Sequence, residues 1–563
     1  MMVRLRHALT ALLLGVLTVV ALNTAHRDVG YARDEGIYFE ASRRYASWLA
    51  LLAQDPGRAN QRKVRDRYLA VNHEHPALMK MAAGTSARLL AERPALGTST
   101  SDDDTGGRFP TMPEGAAMRL PAQILAGLGV ALLYLAGVAL GGGVTAGLLA
   151  AGWFLLTPRL FFHAGLHAFD VPVAVAGLWV VLAYRRALHS RAWAIALGPL
   201  LGIAIAIKHN ALFLPLLLTA HWLCTAAWAR FRDRRPLTMG QWLPLPLWSM
   251  AVLAPLTTYV LWPWLWTSPT QRLLEYFAFH RQHNWYNMEF LGHNYNQPPM
   301  PVSYPAVMTW ATVPSTLLVL AAIGLVVLLT RDLMRPPPMA CGPAPHNIEG
   351  SWWLPLPRDW APLDGLLLTM LAAFPLVLIA LPGTPIFGGT KHWLTAYPFF
   401  ALAAAAAWGW LWQRSDIGRL RRRWLMPAAL ALVLGPGALA TFRGHPYGLS
   451  QYAPLVGGPR GAARLGLARG FWGHAVLPLL PALKGRRVYV HDLHDLARKQ
   501  YAREGRWPVG AQSSGISQGN AGLLFYEMHM ASYEFQLWER MGTGAPQQVL
   551  TLHDVPLTSQ YVR

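Results

Sequence analysis

The chain has 563 residues, 53% hydrophobic and 14% charged, with 24 Trp, 43 Pro and a formal charge of +21. Apolar runs of about 20 residues recur along it, each long enough to cross a hydrocarbon layer of about 30 Å, which excludes an ordinary soluble globule and reads as a polytopic membrane protein. Its two cysteines, Cys224 and Cys341, make neither a disulfide framework nor a zinc spacing, and its basic residues fall in short clusters between apolar runs, a pattern of membrane topology rather than of nucleic-acid binding.

Arg4 and Arg6 precede an apolar run over 8–21 that is similar to a signal peptide. No small-residue cleavage pattern follows and the later architecture needs an odd number of spans, so the segment reads as an uncleaved anchor, the first span, over 7–24. A loop over 26–118 comes next, far too long for a turn. At its start, Tyr31-Ala32-Arg33-Asp34-Glu35-Gly36-Ile37-Tyr38 sets two adjacent carboxylates just past the bilayer. Carboxylates there tend to lie in watered or protein-lined cavities and to handle protons, ions or substrate; the other reading is that they cap the helix that follows. Apolar spacing predicts surface helices over 37–52 and 77–90. The basic run Arg58, Arg62, Lys63, Arg65 and Arg67 between them reads as a solvated face against anionic headgroups, and 97–107 as a flexible connector.

Spans two and three lie over 120–140 and 144–156, joined by Gly141-Gly142-Gly143. A short outer segment, 157–170, leads to span four, which ends at Arg185, Arg186 and Arg191. Span five ends at Lys208-His209-Asn210, and span six at Arg230, Arg232, Arg234 and Arg235. Span seven, over 243–261, opens a second outer loop over 262–305, and span eight ends at Arg331 and Arg335. After an irregular, proline-rich loop over 336–362, span nine reaches Pro382, span ten runs from Lys391-His392 to Arg414, and span eleven covers 425–440. The fold class is therefore an all-α polytopic membrane protein with about eleven transmembrane helices. It has a large first extracytoplasmic loop and a small C-terminal α/β extracytoplasmic domain, with residues 1–441 as the membrane module and 442–563 as the tail. Within the tail, 487–490 and 549–552 read as strands, and 493–503 and 523–541 as helices.

This topology gathers at one face Asp34 and Glu35, His73-Glu74-His75-Pro76, His163, His167 and Asp170, Lys208 and His209, the cluster from His280 to His293, and Lys391-His392. A single Lys or His at a span end ordinarily snorkels to the interface. Many at one face make a cationic pocket suited to an anionic headgroup. His73, Glu74 and His75, with His280, His283 and His293, also raise a divalent metal as an alternative. Their spacing is loose and no cysteine joins them, so hydrogen bonds to phosphate or carbonyls are the preferred role and no metal ligand or other cofactor is assigned. His491-Asp492, His494-Asp495 and His553-Asp554 in the tail read as caps.

Across nearly the whole chain these segments resemble glycosyltransferase family 39, the protein O-mannosyltransferase type within the GT-C superfamily of membrane glycosyltransferases. Asp34-Glu35 stands where that family has its acidic pair after the first span. His75-Pro76-Ala77-Leu78-Met79-Lys80 resembles its His-Pro-Pro-Leu-x-Lys motif, and Arg119-Leu120-Pro121 is similar to the Arg-x-Pro that begins its second span. The stretch 158–170, Thr390-Lys391-His392-Trp393, and His445-Pro446-Tyr447-Gly448-Leu449-Ser450 through Gly457-Gly458 look like segments of bacterial members. Three positions depart from the pattern: Ala77 replaces a proline, Gln451 stands where an aromatic is expected, and Arg469-Gly470 precedes Phe471-Trp472-Gly473 where an acid is often found.

The resemblance implies a bacterial inner-membrane enzyme with its site facing the periplasm. Such an enzyme moves a mannosyl or related hexosyl group from a polyprenyl-phosphate sugar to an acceptor protein, lipid or glycan, with inversion. A phosphate leaving group needs little protonation, so one base suffices. Asp34 is assigned as that base, with Glu35 as its catalytic partner. Glu74, His75 and Asp170 are expected to support the acceptor or the structure, and Lys80, Lys208, His209, Lys391 and His392 to hold the donor phosphate. Membrane lipids are the expected surroundings. A transporter or lipid flippase is the competing class; transporters place their charged sites near the bilayer midplane, often within repeated halves, whereas here the polar groups gather at one face and no repeat is visible.

Overall fold

The computed structural model of the protein describes residues 2–95, 106–232, 234, 237–282, 286–335 and 362–563. Most of the 97–107 connector, His283, Cys341 and nearly all of the 336–362 loop lie outside the described residues. Among the described residues, six helices are long and apolar enough to cross a membrane: Val3–Ala25, Glu114–Gly141, His209–Phe231, Ser315–Met334, Gly389–Arg414 and Arg421–Gly444. Val144–Leu155 and Pro158–Ala164 form a further pair, bent by 73°. Asp170–Ala187 and the shorter apolar helices Arg191–Ile207, Leu245–Leu261 and Asp364–Ala380 fill the remaining positions at which hydropathy placed a span.

Their surfaces account for the membrane reading. On α1 (Met2–Ala25), Leu5, Leu12, Leu13, Val16 and Leu17 are each more than half exposed, an apolar stripe that water would not tolerate and that lipid covers at no cost. The helix beginning at Tyr397 is the opposite case. Its alanine-rich turns from Ala401 to Ala407 are buried, and Gly324 of Ser315–Met334 lies so close to the Ala403 backbone that a Cβ would collide with it. Small residues let these two helices approach where no hydrophobic drive separates protein from lipid.

Beyond α1 the first loop folds as α2 (Arg33–Gln54), the short helices Pro56–Ala59 and Arg62–Leu69, and Leu78–Leu90. The two longer ones cover the ranges 37–52 and 77–90 in which helices were expected. The basic run between them is only partly a solvated face: Arg58, Arg62, Lys63 and Arg67 are exposed, but Arg65 is buried, donating to the Asn60 carbonyl at 3.3 Å and to Thr267 of the second outer loop. That second loop carries a short antiparallel hairpin, β1 (Met288–Phe290) and β2 (His293–Tyr295).

The tail contains a five-stranded mixed sheet of β3 (Arg487–Val490), β4 (Gln512–Ser513), β5 (Ala521–Phe525), β6 (Gln548–Leu552) and β7 (Val555–Val562), in the order β4-β3-β5-β7-β6. β3 runs parallel to β4 and β5, and β7 antiparallel to β5 and β6. One expectation is corrected here: instead of a helix over 523–541, the chain forms β5 and then the helix Ala531–Arg540. All five residues of β5 are buried between its neighbours, and a short unbroken apolar run has no period by which strand and helix can be told apart. The tail does not stand off from the rest. Val476, Leu479, Val488 and Tyr501 share one core with Tyr31, Phe39, Ala83 and Ala87 of the first loop, and the helix Asp495–Arg503 packs on α2.

Candidate active site

α2 begins on three charged residues, Arg33, Asp34 and Glu35, and successive residues of a helix point about 100° apart. The two acids therefore have different fates. Glu35 turns inward: its Oε2 accepts from the Ala32 backbone N–H at 3.0 Å, its Oε1 from the His167 N–H at 2.8 Å, and both oxygens accept from Arg119, at 2.8 and 2.6 Å. Arg119 also donates to the carbonyls of His26, Val29 and Gly30. Glu35 is 1% exposed, with both oxygens occupied by donors. It anchors the end of span one, the start of span two and the turn before Asp170 on one buried ion pair. The expectation that it shares the chemistry with Asp34 is corrected on this geometry.

Asp34 turns the other way. Its side chain is 26% exposed; Oδ2 lies 3.3 Å from Lys391 Nζ, and Oδ1 4.0 Å from Arg33 Nε. Lys391 is presented by the 3-10 turn Gly389–Ala396, which Gly388 and Gly389 enter at φ of +81° and +63°, values that a side chain would resist. Its ammonium sits 4.1 Å over the Trp472 ring. Lys208, at the end of Arg191–Ile207, pairs with Asp170 at 2.6 Å, and both groups lie within electrostatic reach of Lys391. Acids and lysines from four distant segments thus meet at one end of the bundle.

Around the lysines are buried polar atoms with no hydrogen-bond partner among the described residues: His75 Nδ1, both ring nitrogens of His163, His209 Nδ1 and Thr390 Oγ1. Buried polar groups are seldom left unsatisfied, so this set has donor and acceptor capacity to offer a ligand or water. His75 packs edge-on to Tyr38 and Phe169, and burial, reinforced by Lys208 and Lys80, holds its imidazole well below the usual range, so it stays neutral. The His209 ring lies 4.1 Å from that of His280. Glu74 accepts from Asn72 at 2.8 Å, and its carbonyl contacts His280 Nε2.

Lys80 and His392, both expected at the donor phosphate, differ in their surroundings, and His392 lies within electrostatic reach of Lys391 and Lys208. Lys80 is fully buried and donates to the carbonyls of Asn72 and His75 beneath the Tyr45 ring, so it staples the 72–75 turn and does not reach the lysine pair; burial pushes its ammonium down to about 7, against the pull of Glu74. His392 lies against the Phe387 backbone and lines an apolar cleft between Val173, Gly177, Phe213, Leu214 and Phe374. Among the described residues no group of three His, Cys, Asp or Glu is arranged to hold a metal ion.

Beside Arg33 and Trp472 opens a cavity of about 620 Å³, walled by the β1–β2 hairpin, Gly388 and Gly389 on one side and by the tail on the other. Asp492 is no helix cap, as its sequence position implied. It accepts from Arg33 at 3.0 Å, while His494 caps the helix that follows. Burial, with Asp34 nearby and Arg33 opposing, pushes Asp492 up to about 6. Burial also drives Glu527 well above the carboxylate range, with Asp492 and Glu289 adding to the effect. Sequence reading names Arg33, Phe471, Trp472 and Asp492 separately but does not bring them together as this wall.

No protein-family model and no curated protein matches the chain. Among solved structures, it is similar to ArnT from Cupriavidus metallidurans bound to undecaprenyl phosphate, at 13% identity over 97% of each chain with a TM-score of 0.49. It is also similar to the apo state of the same protein, at 14% identity over 98% of this chain and 97% of that one with a TM-score of 0.46.

Proposed function

We propose that this protein is a GT-C-type membrane glycosyltransferase of the bacterial inner membrane. In this reading it transfers a sugar from a polyprenyl phosphate to an acceptor hydroxyl at the periplasmic face. The observation that carries it is the meeting of Asp34 and Lys391 at 3.3 Å, a part-exposed carboxylate beside a buried ammonium, with Lys208 and unpartnered imidazoles alongside. A base and an anion hole are the two parts that displacement of a phosphate requires.

Asp34 removes the proton from the acceptor hydroxyl as its oxygen bonds to the anomeric carbon. The bond from that carbon to the phosphate oxygen breaks, and the electron pair leaves with the phosphate on the opposite face, inverting the configuration. Lys391 and Lys208 neutralise the departing charge, aided by His75, His163 and His209 as hydrogen-bond partners. Asp170 keeps Lys208 aimed. Fixed cations of this kind act with little reorganisation in a site that excludes water, and a positioned base contributes about 10² to 10⁴ in rate. The apolar cleft that ends at His392 suits a prenyl chain lying in the bilayer.

Purified protein in lipid nanodiscs, given a polyprenyl-phosphate hexose, should release or transfer the sugar, and Asp34→Asn should abolish this while leaving polyprenyl-phosphate binding intact. Uptake of the donor into vesicles with no cleavage would make it a transporter instead.

A further inference from the structure

The cavity beside Arg33 has a chemical bias that the donor site does not share. Its volume, about 620 Å³, falls within the range of small-molecule sites. Three carboxyls line it, Glu289, Asp492 and Glu527, against two guanidiniums, and both of these are engaged. Arg33 pairs with Asp492, and Arg159 lies on the Tyr452 ring with its Nε toward the Gln451 carbonyl. Two buried oxygens of the lining, Glu527 Oε1 and Asn294 Oδ1, have no hydrogen-bond partner among the described residues. Asn294 Oδ1 is an acceptor, and the Glu527 carboxyl, raised by burial, can accept on one oxygen and donate from the other. Hydroxyl and amine groups, which also do both, complete this wall, whereas a phosphate would set more acceptors and more negative charge beside three carboxyls. Between these polar groups stand the flat faces of Tyr286, Phe471, Trp472 and Tyr533. Apolar faces alternating with amide and carboxyl edges complement a pyranose, whose ring faces are C–H and whose rim is hydroxyl.

We infer that this cavity is the acceptor subsite and that it takes a carbohydrate without phosphate, an amine-bearing sugar being favoured over a neutral one. The inference rests on the glycosyltransferase reading for the word acceptor, but not for the sugar itself. Arg33 links the two regions, since it touches Asp492 on the cavity side and adjoins Asp34 on the other.

Calorimetry and saturation-transfer NMR on the full-length protein in nanodiscs, without donor, test this with four probes: a glucosamine disaccharide, maltose, glucose 1-phosphate and a Ser/Thr peptide. The glucosamine disaccharide should bind most tightly at pH 7, maltose more weakly, and the other two not measurably. Glu527→Gln and Asp492→Asn should each weaken the amino sugar tenfold or more and maltose much less, and the two variants guard against misfolding of either. Tighter binding of the peptide or of glucose 1-phosphate would overturn the inference, as would silence from both disaccharides in a preparation that binds polyprenyl phosphate. Disaccharide binding in a preparation that ignores polyprenyl phosphate would keep the carbohydrate site and remove the donor reading.

Discussion

Asp34 and Glu35 are adjacent acids of one helix turn, and the structure predicts opposite consequences for removing them. Glu35→Ala deletes the partner of a guanidinium that is 3% exposed and leaves Arg119 charged in the interior. Breaking a buried pair from one side costs about 3–5 kcal/mol. Two further donors, the Ala32 and His167 N–H groups, lose their acceptor in the same step. The folded-to-unfolded ratio should fall by about two to four orders of magnitude, at 1.4 kcal/mol per decade, and the melting midpoint in detergent should drop by several degrees. Asp34→Asn removes one exposed charge from beside Lys391 and leaves the carboxamide in the same volume, so the midpoint should hardly move while transfer falls by about 10² to 10⁴. The assay is thermal unfolding followed by tryptophan emission, run beside donor turnover on the same preparations. If Glu35→Ala melts like the unmodified protein and loses turnover, Glu35 acts on substrate and the separation of roles argued here is wrong. The same follows if Asp34→Asn unfolds early and its turnover per folded molecule is unchanged.

Three further outcomes are expected. Lys391→Ala should weaken polyprenyl-phosphate binding tenfold or more, measured by calorimetry, with the melting midpoint nearly unchanged; equal affinity would make this lysine an anchor for its span. Lys80 is pushed down to about 7 in the fold and returns to its ordinary value when unfolded, so the unfolded chain holds the extra proton between about pH 7 and 10, and stability should rise with pH across that window. Lys80→Met should flatten the rise, a difference on the order of a few kcal/mol between the two ends. Asp492 shifts the other way, up to about 6, so the fold holds the extra proton between about pH 4 and 6 and loses stability as pH rises through that range; Asp492→Asn should remove this slope in melting curves.

Much of the site was legible because membrane topology is written in charge. Basic clusters at alternate span ends put Asp34 and Lys391 on one side, and the 3.3 Å contact agrees with that sidedness. What sequence could not separate was direction at short range. Asp34 and Glu35 look equivalent in a string of letters, and only the turn of α2 exposes one and seals the other. Lys80 is a related case: a lysine after a His-Pro turn reads as a phosphate ligand, while in the fold two carbonyls of that turn accept from it. The cavity wall was hidden because its residues lie in the second outer loop and the tail. There, β5 carries no period, and Asp492 after a strand looks like any cap.

The start of α2 shows how such a site is held. Its first three residues each take a partner from a different part of the chain: Arg33 from Asp492, 459 residues on, Asp34 from Lys391, 357 residues on, and Glu35 from Arg119, 84 residues on. Only the last pair is buried and fully hydrogen-bonded, so it fixes the helix. The other two are looser. Lys391 meets Asp34 by a single 3.3 Å contact, and Arg33 keeps about a third of its side chain exposed. In the proposed reaction, a rigid pair beneath two exchangeable ones would let Lys391 turn toward the phosphate, and Arg33 toward the acceptor, without displacing the carboxylate between them. The base proposed there stands next to the sealed pair and yet apart from it, and at this helix start Asp34 is the acid so placed.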